Sequence, residues 1–107
     1  MALQYCVIDG DTFRYGGVKI RILDIDAPEI SEPKCASEKA LGEKAKFRLL
    51  EILNSGSVAL IASGDRDEDK FRRKLRRVTV AGRSVGDMLI SEGLASSWEG
   101  HHHYWCG

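Results

Sequence analysis

Two turn signals near the start of the chain, Asp9-Gly10 and Gly16-Gly17, restrict the fold more than any other feature. Asp-Gly and Gly-Gly favour tight hairpin loops, because glycine enters left-handed conformations at little cost. The segments around them are short and rich in β-formers: Leu3 to Ile8, Thr12 to Tyr15 and Val18 to Ile25. Three successive hairpin strands are expected. In the third, Val18, Ile20 and Ile22 alternate with Lys19 and Arg21, and the apolar parity then switches to Leu23 and Ile25. Such a slip marks a bulge or a sharp bend, so the strand should curve.

Pro28 and Pro33 bracket a loop, after which Leu41, Ala45, Leu49, Ile52 and Leu53 fall at helical spacing. An amphipathic helix from about Ser37 to Asn54 is predicted, with Gly56 just past its end. Ser57 to Ala62 and Leu75 to Val80 read as further strands, and Ser84 with Asp87 makes a capping box for a short helix ending near Gly93. The order predicts a mainly β protein with helices: a five-stranded OB-fold (Greek-key) barrel capped by two to three α-helices. At 107 residues the chain is expected to be one domain, with a core over about 3–98 and a tail over 99–107. The longest uninterrupted apolar run, Val58 to Ala62, is too short to cross a bilayer.

The formal net charge of zero excludes binding of a polyanion through overall basicity. Local clustering remains: of sixteen Lys and Arg, eight (Arg66, Lys70, Arg72, Arg73, Lys74, Arg76, Arg77, Arg83) lie within one short stretch. Three cysteines, Cys6, Cys35 and Cys106, permit at most one internal disulfide, of which Cys35 with Cys106 is one option. The compartment is left open: secreted or periplasmic if a signal peptide was removed ahead of Met1, cytoplasmic otherwise. His101 to His103 read as a tail or tag, since adjacent histidines do not readily converge on one metal ion. Trp105 and Cys106 are expected to anchor the terminus.

Asp9-Gly10-Asp11-Thr12 alone is explained by a turn. Asp24-Ile25-Asp26-Ala27-Pro28-Glu29 is harder to explain that way, because it places three carboxylates where a strand bends into a loop, close after Arg21. Clustered carboxylates repel one another, and a hard divalent ion offsets the charge. Oxygen donors without nearby Cys or His favour Ca²⁺ over Zn²⁺.

With these motifs the chain resembles the staphylococcal nuclease (thermonuclease) family, through "DGDT" (Asp9 to Thr12), "IRILDIDAPE" (Ile20 to Glu29), "DKFRRKL" (Asp69 to Leu75) and "VGDMLISEGLA" (Val85 to Ala95). The resemblance implies an OB-fold endonuclease that uses one Ca²⁺ ion, cleaves DNA and RNA with little sequence specificity and leaves 3′-phosphates. It implies Asp11, Asp26 and the backbone carbonyl of Ala27 as metal ligands, and Glu29 as the group that orients or deprotonates water. Arg21 and Arg73 would grip the scissile phosphate, and Lys70 and Phe71 would contact the nucleotide. The chain departs from the family pattern at Ala27, where a hydroxyl residue is usual, at Arg72 in place of a glycine, and at Phe71 in place of a tyrosine. Trp98 and Tyr104 are the candidates for further nucleotide contacts. Neither a protein partner nor a membrane is expected, and the state expected is a monomer.

Plainer readings stand beside these. Arg72, Arg73, Lys74, Arg76 and Arg77 could form a charged strand edge that resists aggregation, and Asp65, Asp67, Glu68 and Asp69 an exposed loop. The alternative function is a non-catalytic nucleic-acid-binding module of the same fold, with a phosphodiesterase of small nucleotides as a third reading.

Overall fold

The computed structural model describes residues 5–64 and 66–106. Leu3 and Gln4 of the expected first strand, and Asp65 of the acidic loop, lie outside the described residues. The first hairpins form as the turn signals require: β1 (Tyr5–Asp9), β2 (Thr12–Tyr15) and β3 (Val18–Ile22) are antiparallel neighbours. Gly16 (φ 56°) and Gly17 (φ 86°) supply the left-handed pair between the partners Tyr15 and Val18. Gly10 serves a different need. A Cβ there would stand 2.7 Å from that of Ala45 and 2.8 Å from that of Ala27. Only glycine lets the Asp9–Asp11 loop lie against both.

The predicted strand Val18 to Ile25 is divided at its parity switch. Asp24 takes φ 72°, a left-handed conformation that Asp tolerates better than most side chains. The chain resumes as β4 (Ile25–Asp26), which leaves the main sheet and pairs with β8 (Ser96–Ser97). α1 (Ala36–Leu53), β5 (Val58–Ala62), β6 (Lys74–Val80), β7 (Arg83–Ser84) and α2 (Val85–Ser91) complete the fold. The Ser84 hydroxyl accepts the Asp87 N–H at 3.2 Å, so the expected cap of α2 forms.

The architecture is mainly β with two helices among the described residues, and its eight strand segments are consistent with the expected OB-like fold, the sheet not closing into a full barrel. The main sheet runs β1-β2-β3-β6-β5 with β7 on β6, and β4 and β8 form a second ladder. Among the described residues β1 and β5 end the sheet with no ladder between them. The charged-edge reading fails for Lys74, Arg76 and Arg77. β6 is interior, parallel to β3 on one side and antiparallel to β5 on the other.

The core forms where the sheet meets α1 and α2. Phe13, Ile20, Ile22, Val78 and Val80 from the sheet meet Ala45, Leu49, Ile52 and Leu53 of α1 and Val85 and Leu89 of α2, all buried. Leu49 is fully enclosed, and its truncation to alanine would cost about 2–5 kcal/mol. No helix among the described residues is long and apolar enough to cross a membrane.

Candidate active site

The tight packing around Gly10 brings the first acidic pair onto the Ala27 backbone. Asp11, only 6% exposed, accepts the Thr12 hydroxyl on Oδ1 at 2.9 Å and the Ala27 N–H on Oδ2 at 3.0 Å. Asp9 accepts the Asp11 N–H at 3.2 Å. Burial above all, with the hydrogen bond and charge of Asp11, pushes the Asp9 carboxyl up to about 8. Burial alone would raise Asp11 too, but Arg21 and hydrogen bonds from Asp9, Ala27 and Thr12 hold it below the ordinary range. The two neighbouring carboxyls are thus pushed in opposite directions, Asp9 up and Asp11 down.

Arg21 reaches these acids because β3 pairs with β2 in the register Thr12↔Arg21. Its Nη2 stands 3.7 Å from Asp11 Oδ2, and its Nη1 donates to the Ile22 carbonyl at 2.6 Å. The guanidinium lies over the Trp98 ring, 5.7 Å from the centroid. It is a buried, fixed cation.

Arg73 is aimed by a residue that the sequence reading assigned to an exposed loop. Asp69 Oδ1 accepts the backbone N–H groups of Phe71 (2.9 Å) and Arg73 (3.0 Å), forming an Asx-type turn. Its Oδ2 takes the Arg73 Nε at 2.6 Å, and Arg73 Nη1 reaches the Thr12 hydroxyl at 3.4 Å. Burial would raise the Asp69 carboxyl, yet these donors hold it below its ordinary value. Arg72, where the family pattern has glycine, sits at φ 63°, so the turn keeps a glycine-like backbone. Phe71 is 63% exposed beside the Lys70 ammonium and the Arg73 guanidinium, 5.2 and 5.3 Å from its ring centroid.

Glu29 rides on a loop fastened to the first turn of α1. The buried Glu38 carboxylate accepts the Glu29 N–H at 3.1 Å and the Lys34 N–H at 2.7 Å. Burial, and then the negative charge of Asp11, raise the half-buried Glu29 carboxyl. Asp26 is 1% exposed, and its two oxygens meet the tail: His102 Nδ1 at Oδ1 and the His103 N–H at Oδ2, both at 2.8 Å. The tail is therefore no loose appendage. Cys106 is disulfide-bonded to Cys35, just before α1, with a Cα–Cα distance of 6.1 Å.

One open cleft of about 920 Å³ gathers Asp11, Arg21, Glu29, Lys70, Phe71 and Arg73, together with Asp9 and Trp98. Asp26 and Ala27 line an adjoining pocket of about 310 Å³ instead, and Glu29 and His102 border both. The sequence reading gave no site role to Asp69, Glu38 or His102. Asp69 stands four residues before Arg73, a pairing interval, and Glu38 is an acid in a first helical turn. His102 carries no such mark.

The residues fit a hard divalent ion in chemical type. Asp9 and Asp11 crowd so that the Asp9 carboxyl is pushed up, the situation that a cation relieves. Among the described residues no three Asp, Glu, His or Cys side chains gather into a metal-binding group. The expected donor set is two carboxylates and a carbonyl, so it does not depend on such a group.

Two arginines thus stand against crowded carboxylates on an OB-like sheet. The family model described as staphylococcal nuclease homologue matches residues 19–104, and the chain belongs to that family. It is 43% identical over 93 residues to Endonuclease YncB of Bacillus subtilis, a match covering 82% of this chain and 43% of that protein. The SPbeta prophage-derived endonuclease YokF of the same organism is 42% identical over 93 residues, covering 82% of this chain and 31% of the relative. An uncharacterized endonuclease of Haemophilus influenzae is 26% identical over 102 residues, covering 91% of this chain and 52% of that protein. This chain thus spans less than half the length of either Bacillus relative.

Proposed function

We propose that this domain is a Ca²⁺-dependent endonuclease that hydrolyses phosphodiester bonds of DNA and RNA with little sequence specificity and leaves 3′-phosphate ends. The observation that carries this reading is the single cleft in which Arg21 and Arg73 face Asp11 and Glu29. The ion would be held by Asp11, Asp26 and the Ala27 carbonyl. When bound it would polarise the phosphate and offset negative charge.

The chain's own groups do the rest. Glu29, with its carboxyl raised by burial, is suited to take a proton from the attacking water. Arg21 and Arg73 present planar donor pairs that match phosphate oxygens and gain strength as charge develops on them. Their fixed geometry, through Ile22 and Asp11 for one and Asp69 for the other, supports pre-organised binding. Lys70 and Phe71 at the lip offer a charge and a stacking face, contacts that read no base sequence. The Cys35–Cys106 crosslink favours an oxidising compartment, secreted or periplasmic.

The test is nicking of plasmid and cleavage of single-stranded DNA with Ca²⁺, with chelator and with Glu29→Ala. Cleavage is expected only with Ca²⁺ and an intact Glu29. Tight binding without cleavage by the unaltered protein would overturn the enzymatic reading and leave a binding module.

A further inference from the structure

The segment Glu99 to Cys106 follows β8 without regular structure, yet it holds a carboxylate of the site. Every hydrogen bond to the Asp26 side chain among the described residues comes from it: the His102 ring at Oδ1 and the His103 N–H at Oδ2. A carboxylate only accepts, so His102 Nδ1 is the donor. One donor on each oxygen fixes the rotation of the group. A carboxylate has about four acceptor positions, so lone pairs remain for a cation.

The segment leaves the substrate cleft open; only His102 of residues 99–106 reaches its lining. It is tied at both ends. At the near end Ser96 and Ser97 pair with Asp26 and Ile25, and at the far end Cys106 is bonded to Cys35. Between them lie the edge contacts Trp98–His102, at 5.3 Å, and His103–Trp105, at 4.5 Å. His101 to Tyr104 are exposed. So little burial does not offset the entropy of ordering an irregular segment, and the crosslink is what keeps it in place.

We propose that this disulfide-tied segment is a positioning element of the active site, with His102 as its positioning residue, so that the domain is fully competent only when Cys35 and Cys106 are oxidised. The proposal rests on the nuclease reading above. Hydrogen-bonded partners behind a ligating carboxylate typically contribute about 10- to 100-fold in metal affinity or activity. Both cysteines are half-buried, so a small dithiol can reach the bond. Two successive thiolate attacks transfer two electrons and two protons, leaving two protein thiols and the dithiol as its cyclic disulfide. Asp26 then loses both donors as the segment detaches.

The experiment compares the oxidised full chain, the same protein in dithiothreitol, Cys35→Ser/Cys106→Ser, His102→Ala and His102→Asn. Ca²⁺ affinity is read by titration calorimetry, and kcat and KM on single-stranded DNA are measured alongside circular dichroism. Reduction and the double serine variant should each weaken Ca²⁺ binding about 10- to 100-fold and lower kcat, with substrate KM little changed and the fold retained. Dithiothreitol should do nothing further to the double serine variant, which excludes the free Cys6 as the cause. His102→Ala should reproduce part of the loss, and His102→Asn, which restores a donor, should recover most of it. Unchanged Ca²⁺ affinity and kcat in the folded double serine variant would overturn the proposal alone, as would higher activity on reduction. Oxidised protein that neither binds Ca²⁺ nor cleaves DNA would instead overturn the nuclease reading, and this one with it.

Discussion

Replacing Asp69 by asparagine separates the two tasks of its carboxylate. Oδ1 serves the backbone N–H groups of Phe71 and Arg73, and an amide oxygen can keep that turn. Oδ2 serves the Arg73 Nε at 2.6 Å, and there the amide would present a donor to a donor. A hydrogen bond to a charged group contributes about 1.5–3 kcal/mol, and the partial exposure of this pair reduces that to about 1–2 kcal/mol. For a domain of this size that lowers Tm by roughly 5–10 °C. The larger effect should be on rate. Removing one transition-state donor outright costs about 10²-fold or more, so an arginine that is present but unaimed should cost roughly 10- to 100-fold, or about 1.4–2.7 kcal/mol of barrier. Initial rates on single-stranded DNA at saturating Ca²⁺, with melting curves, measure both. In an Arg73→Ala background the Asp69→Asn change should cost no further activity. A folded Asp69→Asn protein within twofold of the unaltered kcat/KM would refute the claim that Asp69 aims Arg73 for the proposed reaction.

Asp9 contributes a distinct pH dependence to the stability of the metal-free protein. Its folded value of about 8 lies above the ordinary 3.8, so the folded state holds this proton more tightly than the unfolded chain does. Its contribution is full below about pH 4 and is lost as pH rises through about 8, at no more than about 1.4 kcal/mol per pH unit. Denaturant midpoints in chelator should fall across that window, and Asp9→Asn should flatten the fall. Arg21→Lys keeps the charge but loses the planar fork that spans the Ile22 carbonyl and Asp11; kcat/KM should drop about 10²-fold in the same cleavage assay. Gly10→Ala forces a methyl group to within 2.7 Å of Ala45 Cβ and 2.8 Å of Ala27 Cβ. Calorimetry should register a loss of about 1–3 kcal/mol.

Elements with a strong local signal were legible in the sequence. The Gly16-Gly17 hairpin, the α1 stripe and the Ser84 cap depend on residues close in the chain, and the structure places them within a residue or two of expectation. Motif resemblance points to Asp11, Arg21, Asp26, Ala27, Glu29, Lys70, Phe71 and Arg73; one cleft collects all of them except Asp26 and Ala27, which line the adjoining pocket. The bend at Asp24 was visible as a parity switch, but its consequence was not. Whether a strand curves on within its sheet or breaks away depends on which partner waits beyond the bend, and β8 lies some seventy residues later in the chain.

Asp69, Glu38 and His102 were missed for a related reason. Each acts by holding another residue still, and that role has no chemical signature of its own. An acid in a polar loop or a histidine in a polar tail reads as solvated until a partner is placed beside it.

The sequence alone determined the alternation of strands and helices and the kinds of charge near each turn, because periodicity and turn chemistry are local properties of the chain. The tertiary structure decided which oxygen faces which nitrogen: Asp11 on the Ala27 amide, Arg73 on Asp69, and Asp26 under a tail that Cys35 ties down. The Asp11–Ala27 and Asp26–tail pairings join residues 16 and 77 positions apart, and even the Asp69–Arg73 pair, four apart, takes its place only when the turn between them has formed, because a hydrogen bond tolerates only a few tenths of an ångström.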